Sequence, residues 1–559
     1  MDSGVSEPLS PHSMAADAVV APVPARDWWT SGYLLLFASA FLSVLWQLLE
    51  YADASYLWTD EIFAWWVAVH PSWSGLWTAM YRGSDGMFPS FYVWSWFWVR
   101  AFGTSEIMLR LPGILFACGG MALIFATIRR SWGWSAACAS VACVVLVNRI
   151  FLTQAWQFRA YGMLLGLTAA AVYILAELPA DGRKRRVLLG ANAVTQLLLA
   201  LCHPFGLLYC AALGGARMIA SATQPGKRWD QALAWSFLPS VIGVLAWLPG
   251  MRELARMNQP RGWIPELMLN DLARLSLPQL DPIWGWLAPL FGGVLLLAGA
   301  ALAPRPVVRD QVPASRERTL ILLAGAILVV TPLAWVASQF AEPLLLVRYV
   351  VPTTWTWAIF GAVVWSFLAR RTRPAAEFLA TVGAVGVAVF ALWRFDFPLA
   401  SDRERGVLPL RQTLEARFAC DTGGLDRIVM PEPWPIYLES LHAFLPRQHY
   451  NLRKRDYRLL LNETLALAGG DVQGASIDTK LSLKLVANGL PKNSVRDVSE
   501  GAALVAGLAG FYLVDQPERR ASDQFQQELI EQGWKRELAG KELPHTVAGS
   551  AVVWRFTPP

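Results

Sequence analysis

The feature that most limits this chain is a set of eleven apolar runs, nearly free of charge, at 30–50, 107–128, 132–148, 161–178, 187–203, 205–220, 232–250, 284–303, 319–339, 346–369 and 375–397. Each is of the order of the 17–23 residues that a helix needs to cross about 30 Å of hydrocarbon. No water is present there to satisfy a loose backbone, so such runs fold as helices. Composition agrees. Of 559 residues 55% are hydrophobic and 16% charged, with 28 Trp, whereas soluble domains carry about 25% charged residues. The expected class is an α-helical polytopic membrane protein of about eleven transmembrane helices with a C-terminal α/β extracytoplasmic domain.

Charge sets the expected orientation. Dense basic clusters stand at Arg129-Arg130, Arg183-Lys184-Arg185-Arg186, Lys227-Arg228, Arg305 to Arg318 and Arg370-Arg371-Arg373. Cytoplasmic loops carry such an excess, and eleven crossings place all five clusters on that side together with the amino terminus. The net charge of +6 then reflects short basic loops, and no nucleic-acid partner is implied. Residues 1–29, rich in Ala, Pro and Ser, read as a disordered cytoplasmic tail without a signal peptide. Residues 88–103 are short and heavily aromatic, which suits a helix lying along the outer surface better than a crossing. The outer loops are then 51–106, 149–160, a turn near 203, 251–283 and 340–347. Within the membrane unit of 30–397, the first of these loops is the longest. Residues 398–559 have soluble composition, with expected strands at Asp426–Met430, Gly510–Val514 and Ser550–Phe556 and a helix at Ser522–Gln532. No internal repeat of the kind found in many transporters is visible. The cysteines form neither a disulfide framework nor a zinc spacing.

The expected outer face collects polar groups at the ends of apolar runs. In Tyr56-Leu57-Trp58-Thr59-Asp60-Glu61-Ile62-Phe63-Ala64-Trp65-Trp66, two carboxylates sit among aromatic residues. Carboxylates at a low-dielectric boundary are costly unless paired or used, and one could serve as a general base. The alternative is a cap by Thr59 or Asp60 on a helix over 61–70. Successive helical residues diverge, so one carboxylate of the pair is expected to act. Gln157, Arg159 and Tyr161 form a second group, where Arg159 either snorkels to headgroups or grips a phosphate with its planar fork. His203 stands in Cys202-His203-Pro204-Phe205-Gly206, with no second His at ligand spacing, so no metal is expected. Arg348-Tyr349 opens a run against the usual charge bias, Arg110 lies in Leu109-Arg110-Leu111-Pro112, and Arg252, Arg256 and Arg261 crowd the fourth outer loop. Single arginines facing an acidic pair suit a lipid phosphate held in the outer leaflet, its developing charge stabilised as it leaves.

At these residues the sequence resembles the GT-C class of membrane glycosyltransferases, above all the protein O-mannosyltransferases and the bacterial lipid A aminoarabinose transferases. The matching elements are Asp60-Glu61, Phe88-Pro89-Ser90-Phe91-Tyr92, Phe102-Gly103-Thr104-Ser105-Glu106, Leu109-Arg110-Leu111-Pro112, Gln157 to Gly162, His203-Pro204-Phe205-Gly206 and Arg348-Tyr349. They occur in the family's order, over roughly residues 30–400. The resemblance implies an inverting transfer from a polyprenyl-phosphate-linked sugar, needing no cofactor. Asp60 would be the base, and Arg159, Arg348 and His203 would contact the donor phosphate. The sequence departs from relatives at Phe88-Pro89-Ser90, where a His-Pro-Pro element is common, and shows no repeated sugar-binding module in the fourth loop. The alternative readings are a lipid-carrier or glycan flippase and a non-catalytic envelope assembly protein. The expected location is the inner (plasma) membrane, with the C-terminal domain outside.

Overall fold

The structure, a computed structural model, describes residues 28–54, 57–82, 85–146, 148–179, 181–222, 230–257, 314–340, 345–369, 372–394, 428–451, 454–462, 486, 490–515, 522–541 and 552–559. The helices are α1 (Trp28–Ala54), α2 (Thr59–Ala68), α3 (Trp73–Tyr81), α4 (Pro89–Phe102), α5 (Glu106–Trp132), α6 (Trp134–Val145), α7 (Arg149–Gln154), α8 (Tyr161–Glu177) and α9 (Gly182–Ala200). They continue with α10 (Pro204–Ala222), α11 (Gln231–Trp235), α12 (Leu238–Met257), α13 (Ala314–Phe340), α14 (Thr353–Ala369) and α15 (Pro374–Arg394). Helix stands at ten of the eleven apolar runs, and the run 284–303 lies outside the described residues. Among the described residues, six helical stretches are long and apolar enough to cross a bilayer: Trp28–Asp53, Glu106–Trp132, Pro204–Ala222, Gln231–Ala255, Arg316–Phe340 and Pro374–Trp393. Their outer surfaces expose Leu34, Leu35, Leu42, Val241, Leu245, Leu333, Leu379 and Phe390. Exposed apolar side chains on helices of membrane-crossing length call for lipid around them.

Small residues seat the central pair. A Cβ on Gly162 would lie 2.4 Å from the Gly113 carbonyl oxygen, and one on Gly166 would lie 2.5 Å from that of Phe116. Such backbone approach is how helices associate without a hydrophobic drive between them. The α5–α6 turn consists of Gly133 alone, whose φ of 90° is left-handed and costs glycine little. Polar pins run between helices as well: Trp355 Nε1 donates to the Leu165 carbonyl at 3.0 Å, and Asn148 Nδ2 to Thr354 Oγ1 at 2.8 Å.

The two ends of the bundle differ. At one end Glu177 receives Arg130 at 2.9 Å, Lys184 at 3.7 Å and Arg316, while Arg185 pairs with Asp230 at 2.5 Å. Three of the basic clusters read in sequence therefore meet around one carboxylate. Glu177 ends the 17-residue α8, which begins with Tyr161 at the opposite end, where the polar groups of the first outer loop gather. Helix α4 has 14 residues, about 21 Å of rise, and exposes Trp94, Phe97 and Phe102 while burying Phe91, Tyr92 and Val99.

The C-terminal region forms a mixed sheet in the order β3-β2-β1-β4-β6-β5. Its strands are β1 (Ile436–Leu438), β2 (Tyr457–Leu461), β3 (Val495–Asp497), β4 (Phe511–Asp515), β5 (Lys535–Lys541) and β6 (Val552–Thr557). The first four in that order are parallel, and β6 and β5 add antiparallel. Helix α16 (Leu441–Tyr450) follows β1, and α17 (Asp523–Glu531) precedes β5. Alternation sorts the two faces. Tyr437, Leu460, Phe511 and Leu513 join Phe525 and Leu529 of α17, while Ile436, Leu438, Leu459 and Tyr512 join α16 and the core of the helical bundle. The strands at Gly510–Val514 and Ser550–Phe556 and the helix at Ser522–Gln532 stand where the sequence placed them, as β4, β6 and α17. The strand expected at Asp426–Met430 does not: residues 428–430 carry no strand, and the parallel pairing goes to Ile436–Leu438, where three successive side chains are buried.

Candidate active site

Helix α2 carries both carboxylates of the first loop, and its start decides what each can do. Trp58 is extended (φ −86°, ψ 171°) and the helix opens at Thr59, two residues before the sequence-based expectation. Asp60 and Glu61 thus lie inside the first turn, and neither Thr59 nor Asp60 is the cap. Glu61 reaches back to the Trp58 amide at 3.2 Å, satisfying a donor that the helix cannot.

The same Glu61 carboxylate is gripped from the other side. Arg110 donates Nε to Oε1 at 2.9 Å and Nη2 to Oε2 at 2.6 Å, and the Phe158 amide adds a bond to Oε1 at 2.6 Å. Arg110 Nη1 donates to the Ala52 carbonyl at 2.8 Å, and its guanidinium lies 4.8 Å from the Trp156 ring centroid. Both side chains are fully buried. This bidentate pair ties α1, α2, α5 and the 155–160 loop together. Glu61 and Arg110, both candidate site residues from sequence, are thus placed in a buried pair whose hydrogen bonds go to each other and to backbone.

Asp60 turns the opposite way. Its side chain is 25% exposed, with Oδ2 3.7 Å from Arg348 Nη1. Its backbone carbonyl accepts from Arg159 Nη1 at 2.8 Å, and the same nitrogen lies 2.6 Å from Asp85 Oδ2. The Tyr92 hydroxyl of α4 donates to that Asp85 oxygen, and the Gly86 amide binds the other at 2.6 Å. Asp85 was not among the sequence candidates. Nothing in its own segment marks it, because its role comes from Tyr92 and Arg159 closing on it. Arg348 sits on a short 3-10 turn, Val347–Val350, ahead of α14. Its guanidinium lies 6.0 Å from the Trp58 ring and 5.9 Å from that of Tyr349. The Nε atoms of Arg159 and Arg348 are buried without a hydrogen-bond partner among the described residues.

An aromatic wall closes the cluster. His203, in the turn between α9 and α10, lies 4.8 Å from the Tyr349 ring and 5.8 Å from Tyr161, while Phe205 lies 5.1 Å from Tyr349. Burial, with help from Arg159 and Arg348, pushes the His203 imidazole down to about 3. It is therefore neutral at physiological pH. Its Nδ1 accepts the Phe205 amide at 3.1 Å, which leaves Nε2–H as the donor.

The structure thus brings together Asp60, Arg159, Tyr161, His203, Arg348 and Tyr349. Gln157 lines a small pocket together with Phe91, Trp94, Leu109, Phe116, Phe158 and Arg159. Its Oε1 is buried there without a partner. Arg252 continues α12 beyond the expected boundary at 250, and Arg261 lies outside the described residues. Among the described residues, no three His, Cys, Asp or Glu side chains stand close enough to hold a metal ion.

No protein-family description matches the chain, and no curated protein matches its sequence. Solved structures do match. A crystal structure of ArnT from Cupriavidus metallidurans in the apo state superposes with a TM-score of 0.52 at 13% identity, covering 94% of this chain and 98% of that one. The same protein bound to undecaprenyl phosphate superposes with a TM-score of 0.54 at 14% identity and the same coverage. The fold is that of ArnT. At this identity the likeness is one of architecture, and the near-complete coverage of both chains extends it from the helical bundle into the C-terminal sheet region. In this ArnT-like fold the two arginines and Asp60 lie together at one end of the bundle.

Proposed function

We propose that this chain is a membrane glycosyltransferase of the GT-C type that moves a sugar from a polyprenyl-phosphate carrier to an acceptor at the outer face of the plasma membrane. One observation carries the reading. A partly exposed carboxylate and two guanidinium groups, each with a buried Nε that has no hydrogen-bond partner among the described residues, converge from three separate elements. The sequence resemblance to the lipid A aminoarabinose transferases and the ArnT-like fold support the same class, and a structural neighbour is bound to undecaprenyl phosphate.

The chemistry follows from the placement. Asp60 accepts the proton of an acceptor hydroxyl or amine as that group attacks the anomeric carbon from the side away from the phosphate. The anomeric C–O bond breaks, and its electron pair leaves on the phosphate oxygen. Inversion results. Arg159 and Arg348 stabilise the charge that builds there, and the neutral His203 donates through Nε2–H. Tyr161 and Tyr349 hold these groups in a dry wall, where such donors act more strongly than in water. Arg159 is preset by Asp85, so its fork stays aimed when the site is empty. Arg348, at 3.7 Å from Asp60, is held loosely enough to turn toward an incoming phosphate.

The test is sugar release from a polyprenyl-phosphate-hexose pool in membranes carrying wild type, Asp60→Asn or Arg348→Ala. Wild type should consume the pool. Asp60→Asn should lose about 10²–10⁴-fold of the rate while still binding undecaprenyl phosphate, and Arg348→Ala should weaken that binding. A wild type that leaves every lipid-linked sugar intact, or an Asp60→Asn protein that turns over normally, would overturn the assignment.

A further inference from the structure

The C-terminal sheet region meets helix α2, which carries Asp60, through helix α16. Helix α16 packs on α2, and its last turn supplies two contacts. The His449 ring meets Trp65 edge-on at 4.6 Å, midway along α2. The Tyr450 hydroxyl accepts the Leu57 amide at 2.6 Å, across 393 residues of sequence. Glu106, the first residue of α5, lies near the same hydroxyl. Leu57 is buried, so its amide has no water to turn to. Right after Tyr450, Asn451 takes the left-handed conformation (φ 38°) and its amide caps the helix on the Arg447 carbonyl, which ends α16 at this contact.

We infer that Tyr450 is a positioning residue that fixes the start of α2, and with it Asp60, against the mouth of α5. The inference rests on the reading of Asp60 as the base. The Glu61–Arg110 pair holds the first turn of α2 from the bundle side, and Tyr450 holds the residues just before it from the domain side. In sequence, Asp60 lies between the residue that Tyr450 holds, Leu57, and the paired Glu61. The C-terminal domain then acts on the reaction through geometry, without contacting the substrate.

The experiment compares full-length wild type, Tyr450→Phe and the exposed α17 variant Gln527→Ala in lipid nanodiscs. Three quantities are read: amide hydrogen exchange over 57–68, binding of undecaprenyl phosphate, and sugar release from the lipid-linked pool. Tyr450→Phe should quicken exchange at Leu57 and the first turn of α2 by about threefold to tenfold, the loss of one hydrogen bond to a buried donor. Sugar release should fall about tenfold, while undecaprenyl phosphate affinity stays within about twofold, since its ligands stand on other elements. Gln527→Ala should change none of the three. Unchanged exchange in Tyr450→Phe overturns the inference whether or not the protein transfers sugar. Quickened exchange with undiminished release overturns it too, since Tyr450 would then brace the fold without placing Asp60. A wild type inactive on every lipid-linked sugar defeats the transferase reading instead, and the exchange comparison still decides whether Tyr450 holds α2.

Discussion

Glu61 and Asp60 are chemically near-identical neighbours, and what separates them is the direction in which the helix turns each one. Glu61 meets Arg110 with both partners out of water. Removing one side of such a pair strands a buried charge and costs about 3–5 kcal/mol. Glu61→Ala should therefore lower the thermal midpoint of the purified protein sharply, whereas Asp60→Asn should leave it nearly unchanged. Replacing both partners, as Glu61→Leu with Arg110→Met, should recover much of the loss, because an apolar pair of similar volume leaves no charge stranded. His203 makes a second prediction at this scale. Its imidazole titrates near 6.5 when the chain is unfolded and near 3 when folded. Between those values the unfolded chain holds the extra proton, so the stability linked to this group is complete above about 6.5 and is lost as pH falls below it. Unfolding midpoints measured from pH 7.5 to 4.5 should fall less steeply for His203→Gln than for wild type. Over pH 7 to 8, no step in ligand binding should trace to this residue.

At the scale of elements, α5 and α8 decide where the second half of the site stands. Arg159 and Tyr161 lie at the start of α8, and α8 is seated on α5 by glycines whose added Cβ would collide with backbone. Gly162→Ala would force the helices apart near the Gly113 carbonyl, at a cost of about 1–3 kcal/mol for overpacking. The displacement would also carry Arg159 away from Asp85. The expected result is a protein that folds with a lower midpoint and binds undecaprenyl phosphate more weakly, checked by melting and by binding in the same preparation. Gly119, with open space around its Cβ position, should accept Ala without either effect.

For the whole molecule, the claim to test is sidedness. The site, α3 and the C-terminal sheet gather at one end, and Glu177 gathers the basic clusters at the other. Single cysteines introduced at the exposed positions Ser74 and Ser499 should label from outside intact cells, and one at exposed Arg183 should label only after the membrane is permeabilised. The reverse pattern would invert the topology and remove the outer-face reaction with it.

How much of this was readable in advance follows from the range of the forces involved. Hydrophobicity is a local sum, so apolar runs such as 107–128 and 319–339 announce their helices without knowledge of any neighbour. Charge bias along loops is likewise additive. Residue types suited to an anion, such as Arg159 and Arg348, stand out because a cation at the end of an apolar run is costly. The same local reasoning singled out Glu61 and Arg110 but could not foresee that they pair with each other. Their roles depend on a contact across 49 residues, and nothing within either segment reveals it. Asp85 went unread for that reason as well, since its importance comes from Tyr92 and Arg159 closing on it. The residue types and the helices they build are set by sequence through local transfer energies. Which carboxylate is spent on structure and which is left at the rim was decided by tertiary packing, because a buried charge takes its role from the partner that the fold brings within about 3 Å.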